Sequence, residues 1–180
     1  MQQFEIYISD EISKFSKSTL SKKDKKLYQI RKNLPEFLLS RSIKSRIKKR
    51  GKFCISHKKF GTDLQERIAA VGVSNKKFGL DLEILQKRDY KSVIEFCFNE
   101  FEKNLMQICA PQEKMILFYQ IYTIKEAIIK LENLAFSDLA RVGLAQNKNQ
   151  IAAKNHKGKF IRFKTYLLYN KFLISVCFKG

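Results

Sequence analysis

The sequence is poor in residues that punctuate, cross-link or coordinate. It has only two prolines, Pro35 and Pro111, and seven glycines in 180 residues, and no Pro/Gly/Ser tract that reads as a linker. Its two histidines, His57 and His156, lie far apart. Its four cysteines, Cys54, Cys97, Cys109 and Cys177, are scattered, with no CxxC or other metal-ligand pair. That spacing argues against a zinc site and predicts reduced, mostly buried thiols. No apolar run approaches a membrane span; the longest, FLISVCF at 172–178, reads as a strand. The start, MQQFEIYISDEIS, lacks a basic segment leading into an apolar one, so no signal peptide is read and a soluble, cytoplasmic protein is expected. Walker, GxGxxG, zinc-knuckle and RNP-type motifs are absent, as is the GxSxG of a nucleophile elbow.

Acidic residues are also scarce, 17 against 36 Lys and Arg, for a formal charge of +19. Such a charge predicts attraction to a polyanion, whether nucleic acid, acidic lipid, acidic protein or phosphorylated cofactor, without choosing among them. The basic runs SKKDKK at 21–26 and KSRIKKRGK at 44–52 read either as solvated faces or as a phosphate-binding or steering patch. Hydrophobic residues make up 44% of the chain, enough for a packed core in one domain or two small lobes.

Residues 4–8 alternate like a strand, and 21–49 have a helical period with a break near Pro35. Residues 53–56 read as a short strand. Residues 67–73, the turn 74–77 and residues 78–84 read as a hairpin. Helices are expected over 91–109 and 112–133, then strands near 140–145, 149–153 and 160–168, with a last hairpin turning at Asn170–Lys171 into 172–178. Helices followed by a β-hairpin, twice over, predict an α+β protein of two similar lobes, residues 1–88 and 89–180.

Chemistry concentrates in two segments. In FGLDLE, 78–83, Asp81 and Glu83 stand two apart on a strand and so share a face, with Leu80 and Leu82 turned to the core. Two such carboxylates beside a phosphate suit Mg²⁺, a hard ion that prefers oxygen ligands; the plain alternative is a solvated acidic face. In YTIKEAIIK, 122–130, Glu126 and Lys130 stack one turn apart with Tyr122 one turn before, opposite a stripe of Leu117, Ile121, Ile124, Ile128 and Leu131. The plain alternative is a surface Glu–Lys pair. Ser56 and His57 end a strand and precede Lys58 and Lys59, a setting for a phosphate clamp or for a structural histidine.

FCISH (53–57), FGLDLE (78–83) and YTIKEAIIK (122–130) follow one another in an order that resembles the 4′-phosphopantetheinyl transferases of the type that activates surfactin synthetase. That family shows an SHS-like strand end, then G-[IV]-D-[IV]-E, then W-[ST]-x-K-E-[AS]-x-x-K some forty residues on. CFNEFE (97–102) resembles its F-x-x-x-E helix, and Gly51–Lys52 stands like the end of its G-K-P element. The resemblance runs over residues 20–178. Tyr122 replaces the usual Trp, Lys58 the second Ser of SHS, and no proline follows Lys52.

The resemblance implies two similar α+β lobes packed pseudosymmetrically, with the active site between them in one monomeric chain. It implies transfer of phosphopantetheine from coenzyme A to a serine of an apo acyl (or peptidyl) carrier protein, leaving adenosine 3′,5′-bisphosphate. Asp81, Glu83 and Glu126 then hold Mg²⁺, Glu83 directly or through water. Glu126 is the general base and Lys130 stabilises phosphate charge. Lys52, Ser56 and His57, with Arg31 and Arg41, bind coenzyme A. Carrier proteins are acidic, which gives the +19 charge a use. A basic nucleic-acid-binding protein without catalysis is the rival reading, supported by the charge alone; no specific nucleic-acid or membrane partner is expected.

Overall fold

The computed structural model describes residues 4–9, 35–59 and 67–179. Arg31, the run at 21–26 and the helical period over 21–34 therefore lie outside the described residues. Contacts divide the chain into two compact units, Met1–Lys76 and Lys77–Gly180.

In the first unit, strands β1 (Phe4–Ser9), β2 (Lys52–Lys59) and β3 (Arg67–Ser74) form an antiparallel sheet in the order β1-β3-β2. Helix α1 (Pro35–Arg46) starts at Pro35, whose fixed φ and missing N–H suit a first helical position, and lies against β2 and β3. The central strand β3 is buried from Ile68 to Val73. Its small residues Ala69 and Ala70 stand opposite His57 and Ser56 of β2.

The second unit holds strands β4 (Phe78–Ile84), β5 (Gly143–Asn147), β6 (Gln150–Lys154), β7 (Phe160–Leu168) and β8 (Phe172–Phe178). They form an antiparallel sheet ordered β4-β8-β7-β6-β5. Helices α2 (Lys91–Cys97) and α3 (Glu100–Ile108) precede α4 (Lys114–Glu132), which packs on β4 and β8. This is a mixed α+β architecture with two antiparallel sheets.

Several expectations change. The segments 67–73 and 78–84 are both strands, but they do not form a hairpin: β3 pairs with β1 and β2, and β4 pairs with β8. A polar turn between two apolar runs reports a chain reversal and does not name the pairing partner. The helix read over 91–109 is two helices, because Asn99 caps a new one. Its side chain accepts from the Glu102 amide while the Glu102 carboxylate accepts from the Asn99 amide. The final turn sits one residue earlier than read, at Tyr169 and Asn170. Both have positive φ (53° and 49°), as a type I′ turn requires, and the Lys171 amide donates to the Leu168 carbonyl across them. Of the free cysteines, Cys97 and Cys177 are buried, while Cys54 and Cys109 are only partly so.

Candidate active site

Strand β4 is buried along its whole length, so Asp81 and Glu83, 2% and 7% exposed, are not a solvated acidic face. The glycine of FGLDLE explains their setting. A Cβ on Gly79 would fall onto the Ala127 carbonyl oxygen and lie 2.8 Å from the Leu131 nitrogen. Only a residue without a side chain lets β4 come this close to the backbone of α4. Residues 79, 81 and 83 share a face, so Asp81 and Glu83 are turned toward the same helix. Ser175, opposite Asp81 in the β4–β8 register, touches the helix as well, its Oγ 2.7 Å from Thr123 Oγ1. Gly79→Ala is therefore expected to cost several kcal/mol, in the range of an overpacked core. A denaturant melt should show the loss even with the carboxylates intact.

Helix α4 meets this strand with Tyr122, Glu126 and Lys130. Lys130 reaches beyond its own helix. Its Nζ donates to Asp81 Oδ1 across the strand–helix contact at 2.6 Å. Tyr122 donates its hydroxyl to Glu126 Oε1 at 3.2 Å. The Tyr122 ring stacks on Phe118 (centroids 5.9 Å apart, 12° between planes), and Phe118 stacks in turn on Phe98 and Tyr90. An aromatic side chain at 122 is thus needed both for this stack and for its polar tip.

The acidity of Tyr122 reports which groups surround it. Its hydroxyl is pushed far above the ordinary tyrosine range, first by burial, then by the negative fields of Glu126, Glu83 and Asp81 and by its bond to Glu126. All three carboxylates therefore act on one phenol. It follows that Tyr122 stays a hydrogen-bond donor at alkaline pH. In an ultraviolet titration, Tyr122→Phe should leave the phenolate signal unchanged through about pH 11, where an ordinary tyrosine is already ionised. A lost tyrosine transition near pH 10 would contradict the geometry.

Asp81, Glu83 and Glu126 supply three carboxylates whose donor atoms are all oxygen. That chemistry suits a hard divalent cation. Among the described residues, however, no group of three His, Cys, Asp or Glu side chains is arranged to hold a metal. Lys130 bonds Asp81 and Tyr122 bonds Glu126.

A second polar cluster was not anticipated. Lys125, one residue before Glu126, is wholly buried, and its Nζ lies 2.5 Å from Glu102 Oε2 and 2.6 Å from the Val142 carbonyl. Glu102 Oε1 accepts from the Leu144 amide at 2.7 Å, and Asn99 Nδ2 donates to the Leu144 carbonyl. This ties α3, α4 and β5 together. Gly143 adjoins the pair with φ +128°, where a Cβ would sit 2.6 Å from Lys125 Nζ. Burial pushes the Glu102 carboxyl up and the Lys125 ammonium down, and each partner opposes the other's shift. The N-x-x-E spacing of Asn99 and Glu102 was the available signal.

The structure thus brings Asp81, Glu83, Glu126 and Lys130 together within the second unit. The other candidates lie in the first unit: Ser56 is buried on β2, His57 and Arg41 are half-buried, and Lys52 is exposed at the start of β2. Lys52 and Ser56 share a face of β2, and His57 points to the other.

The model of the 4′-phosphopantetheinyl transferase superfamily matches residues 77–177, more than half of the chain. The protein belongs to this superfamily. No curated protein matches it. The matched span begins where the second unit begins and includes the carboxylates of β4 and α4, the Lys125–Glu102 pair and strand β8. Membership makes the protein a transferase of phosphopantetheine, and no helix among the described residues is long and apolar enough to cross a membrane.

Proposed function

We propose that this transferase moves 4′-phosphopantetheine from coenzyme A to a serine of an apo acyl (or peptidyl) carrier protein, as enzymes of the surfactin-synthetase-activating type do. The observation that carries the reading is the meeting of Asp81, Glu83, Glu126 and Lys130 around Tyr122 on facing surfaces of β4 and α4. Asp81, Glu83 and Glu126 would hold Mg²⁺. When bound, the ion supplies Lewis-acid neutralisation of pyrophosphate charge.

The serine oxygen forms a bond to the β-phosphorus as the bond from that phosphorus to the bridging oxygen breaks. The serine proton goes to Glu126 and the electron pair leaves with adenosine 3′,5′-bisphosphate. Tyr122, donating to Glu126 Oε1, fixes the orientation of that carboxylate. Lys130 offers its ammonium to the phosphate oxygens as charge builds on them, and Asp81 holds it ready. By resemblance alone, Lys52, Ser56, His57, Arg31 and Arg41 are the coenzyme A ligands. The same resemblance supports pseudosymmetric lobes and a monomer, and fatty-acid synthesis is the default setting if no other such enzyme serves its cell.

With saturating coenzyme A and Mg²⁺, adenosine 3′,5′-bisphosphate should appear by liquid chromatography in proportion to added apo carrier. Its appearance without carrier, or its absence with carrier, contradicts the reading. A +19 chain serving acidic carriers should also lose encounter rate in salt, so the KM for carrier should climb toward about 0.5 M salt while kcat holds. A flat response removes steering from the account.

A further inference from the structure

Helix α4 ends on a polar side chain that the proposed chemistry does not use. Glu132 stands two residues beyond Lys130, about 200° around the helix, so it is turned away from the side that meets Asp81. Its side chain is 9% exposed, and its Oε1 is buried with no hydrogen-bond partner among the described residues. Lys179 Nζ approaches that oxygen at 3.4 Å, and His156 Nδ1 approaches Oε2 at 4.0 Å. The imidazole nitrogen is also buried without a hydrogen-bond partner among the described residues. A buried carboxylate oxygen left without a donor is costly, so Glu132 calls for a donor from outside the fold.

Glu132 lines a cavity of about 370 Å³ that lies wholly within the second unit. The connection from β6 to β7 forms part of its wall. Asn155 is buried and ties that connection together. Its Oδ1 accepts from the amides of Lys157 and Lys159, and its own amide donates to the Lys159 carbonyl. Lys157 and Lys159 are exposed and border the cavity, as does Lys179 just past β8. Phe160, 47% exposed, and the buried Ile161 add an apolar wall. The cavity thus combines a buried acceptor, lysine ammoniums nearer to solvent and an exposed aromatic ring.

We propose that this cavity binds a guanine nucleotide. A carboxylate only accepts, and the guanine edge sets two donors, N1–H and N2–H, side by side to meet its two oxygens. Adenine offers one such donor beside an acceptor, and an inorganic anion offers none. The Phe160 ring gives the base a face to stack on. Lys157, Lys159 and Lys179 bring ammoniums to the phosphate. The volume lies at the small end of ligand sites, the size of a mononucleotide. The lysines disfavour a free cation, and Glu132 disfavours a bare phosphate. Asp81 meets the other side of α4, so this site is separate from the catalytic carboxylates.

The test is isothermal titration calorimetry of the full chain at physiological salt. The probes are guanosine 5′-monophosphate, adenosine 5′-monophosphate and inorganic phosphate. Circular dichroism checks the fold of each variant. The guanine nucleotide should bind once per chain, about tenfold or more tighter than either competitor. Glu132→Gln should weaken it about tenfold or more, because the carboxamide turns a donor toward a donor, and should leave phosphate binding no weaker. Lys157→Ala/Lys159→Ala changes two exposed side chains and should weaken the guanine nucleotide alike, which decides the matter if Glu132→Gln does not fold. Lys76→Ala/Lys77→Ala, on an exposed turn, should bind as wild type does. Adenosine monophosphate or phosphate binding as tightly as the guanine nucleotide overturns the assignment, as does no saturation by about 1 mM. Affinity unchanged in the Lys157/Lys159 variant puts the nucleotide elsewhere on the chain and overturns it too.

Discussion

Glu126→Gln should lower the rate of phosphopantetheine transfer by about two to four orders of magnitude, the range for loss of a general base. The change removes the proton acceptor but keeps the shape, and Tyr122 can still donate to the remaining carbonyl oxygen. The fold should survive, because Glu126 is only partly buried. Asp81→Asn should act at a different point. Asp81 is almost wholly buried and accepts from Lys130 at 2.6 Å, so the change removes a proposed metal ligand and the charge of that pair. Metal affinity should therefore fall along with rate. Single-turnover transfer at matched folded concentration checks both variants. Transfer by Glu126→Gln at the wild-type rate would remove Glu126 from proton transfer.

Lys125→Met should destabilise the protein by about 3–5 kcal/mol, the cost of leaving one member of a buried ion pair alone. Both side chains are wholly inaccessible, and the Glu102 carboxylate also receives the Asn99 and Leu144 amides. A methionine of similar length cannot satisfy either Glu102 or the Val142 carbonyl. Glu102→Leu alone should be comparably harmful, since it strands the ammonium. Combining the two should recover much of the loss, because two apolar groups of similar volume leave no buried charge. Urea melts of the four proteins form the cycle. Additive losses would mean that the pair is not a coupled unit. Lys125 precedes Glu126 on one helix, so weakening this anchor is also expected to loosen the catalytic face.

Much of the site was readable because it depends on period. Asp81 and Glu83 share a face in any strand, and Tyr122, Glu126 and Lys130 share a side of any helix. The stripe Ile121, Ile124, Ile128 and Leu131 is buried, with Leu117 only partly so. What period does not carry is the partner across space. Lys130 was read beside Glu126 because both lie on one helix; its bond to Asp81 was not read, because only the β4–α4 contact brings that carboxylate near. The misread hairpin failed in the same way: pairing of β4 with β8 joins segments almost a hundred residues apart, and no local signal encodes it. Lys125 was overlooked for a related reason. In a helix buried nearly all round, a lysine reads as a surface residue until its partner from α3 is placed beside it.

The most direct test is the intact mass of an apo acyl carrier protein incubated with this protein, coenzyme A and Mg²⁺, with and without EDTA. The account predicts a gain of one phosphopantetheine on the carrier, absent with EDTA and lost with Glu126→Gln. No gain with folded protein and several carriers would contradict it, and a gain that persists in EDTA would remove the metal from the carboxylates of β4 and α4.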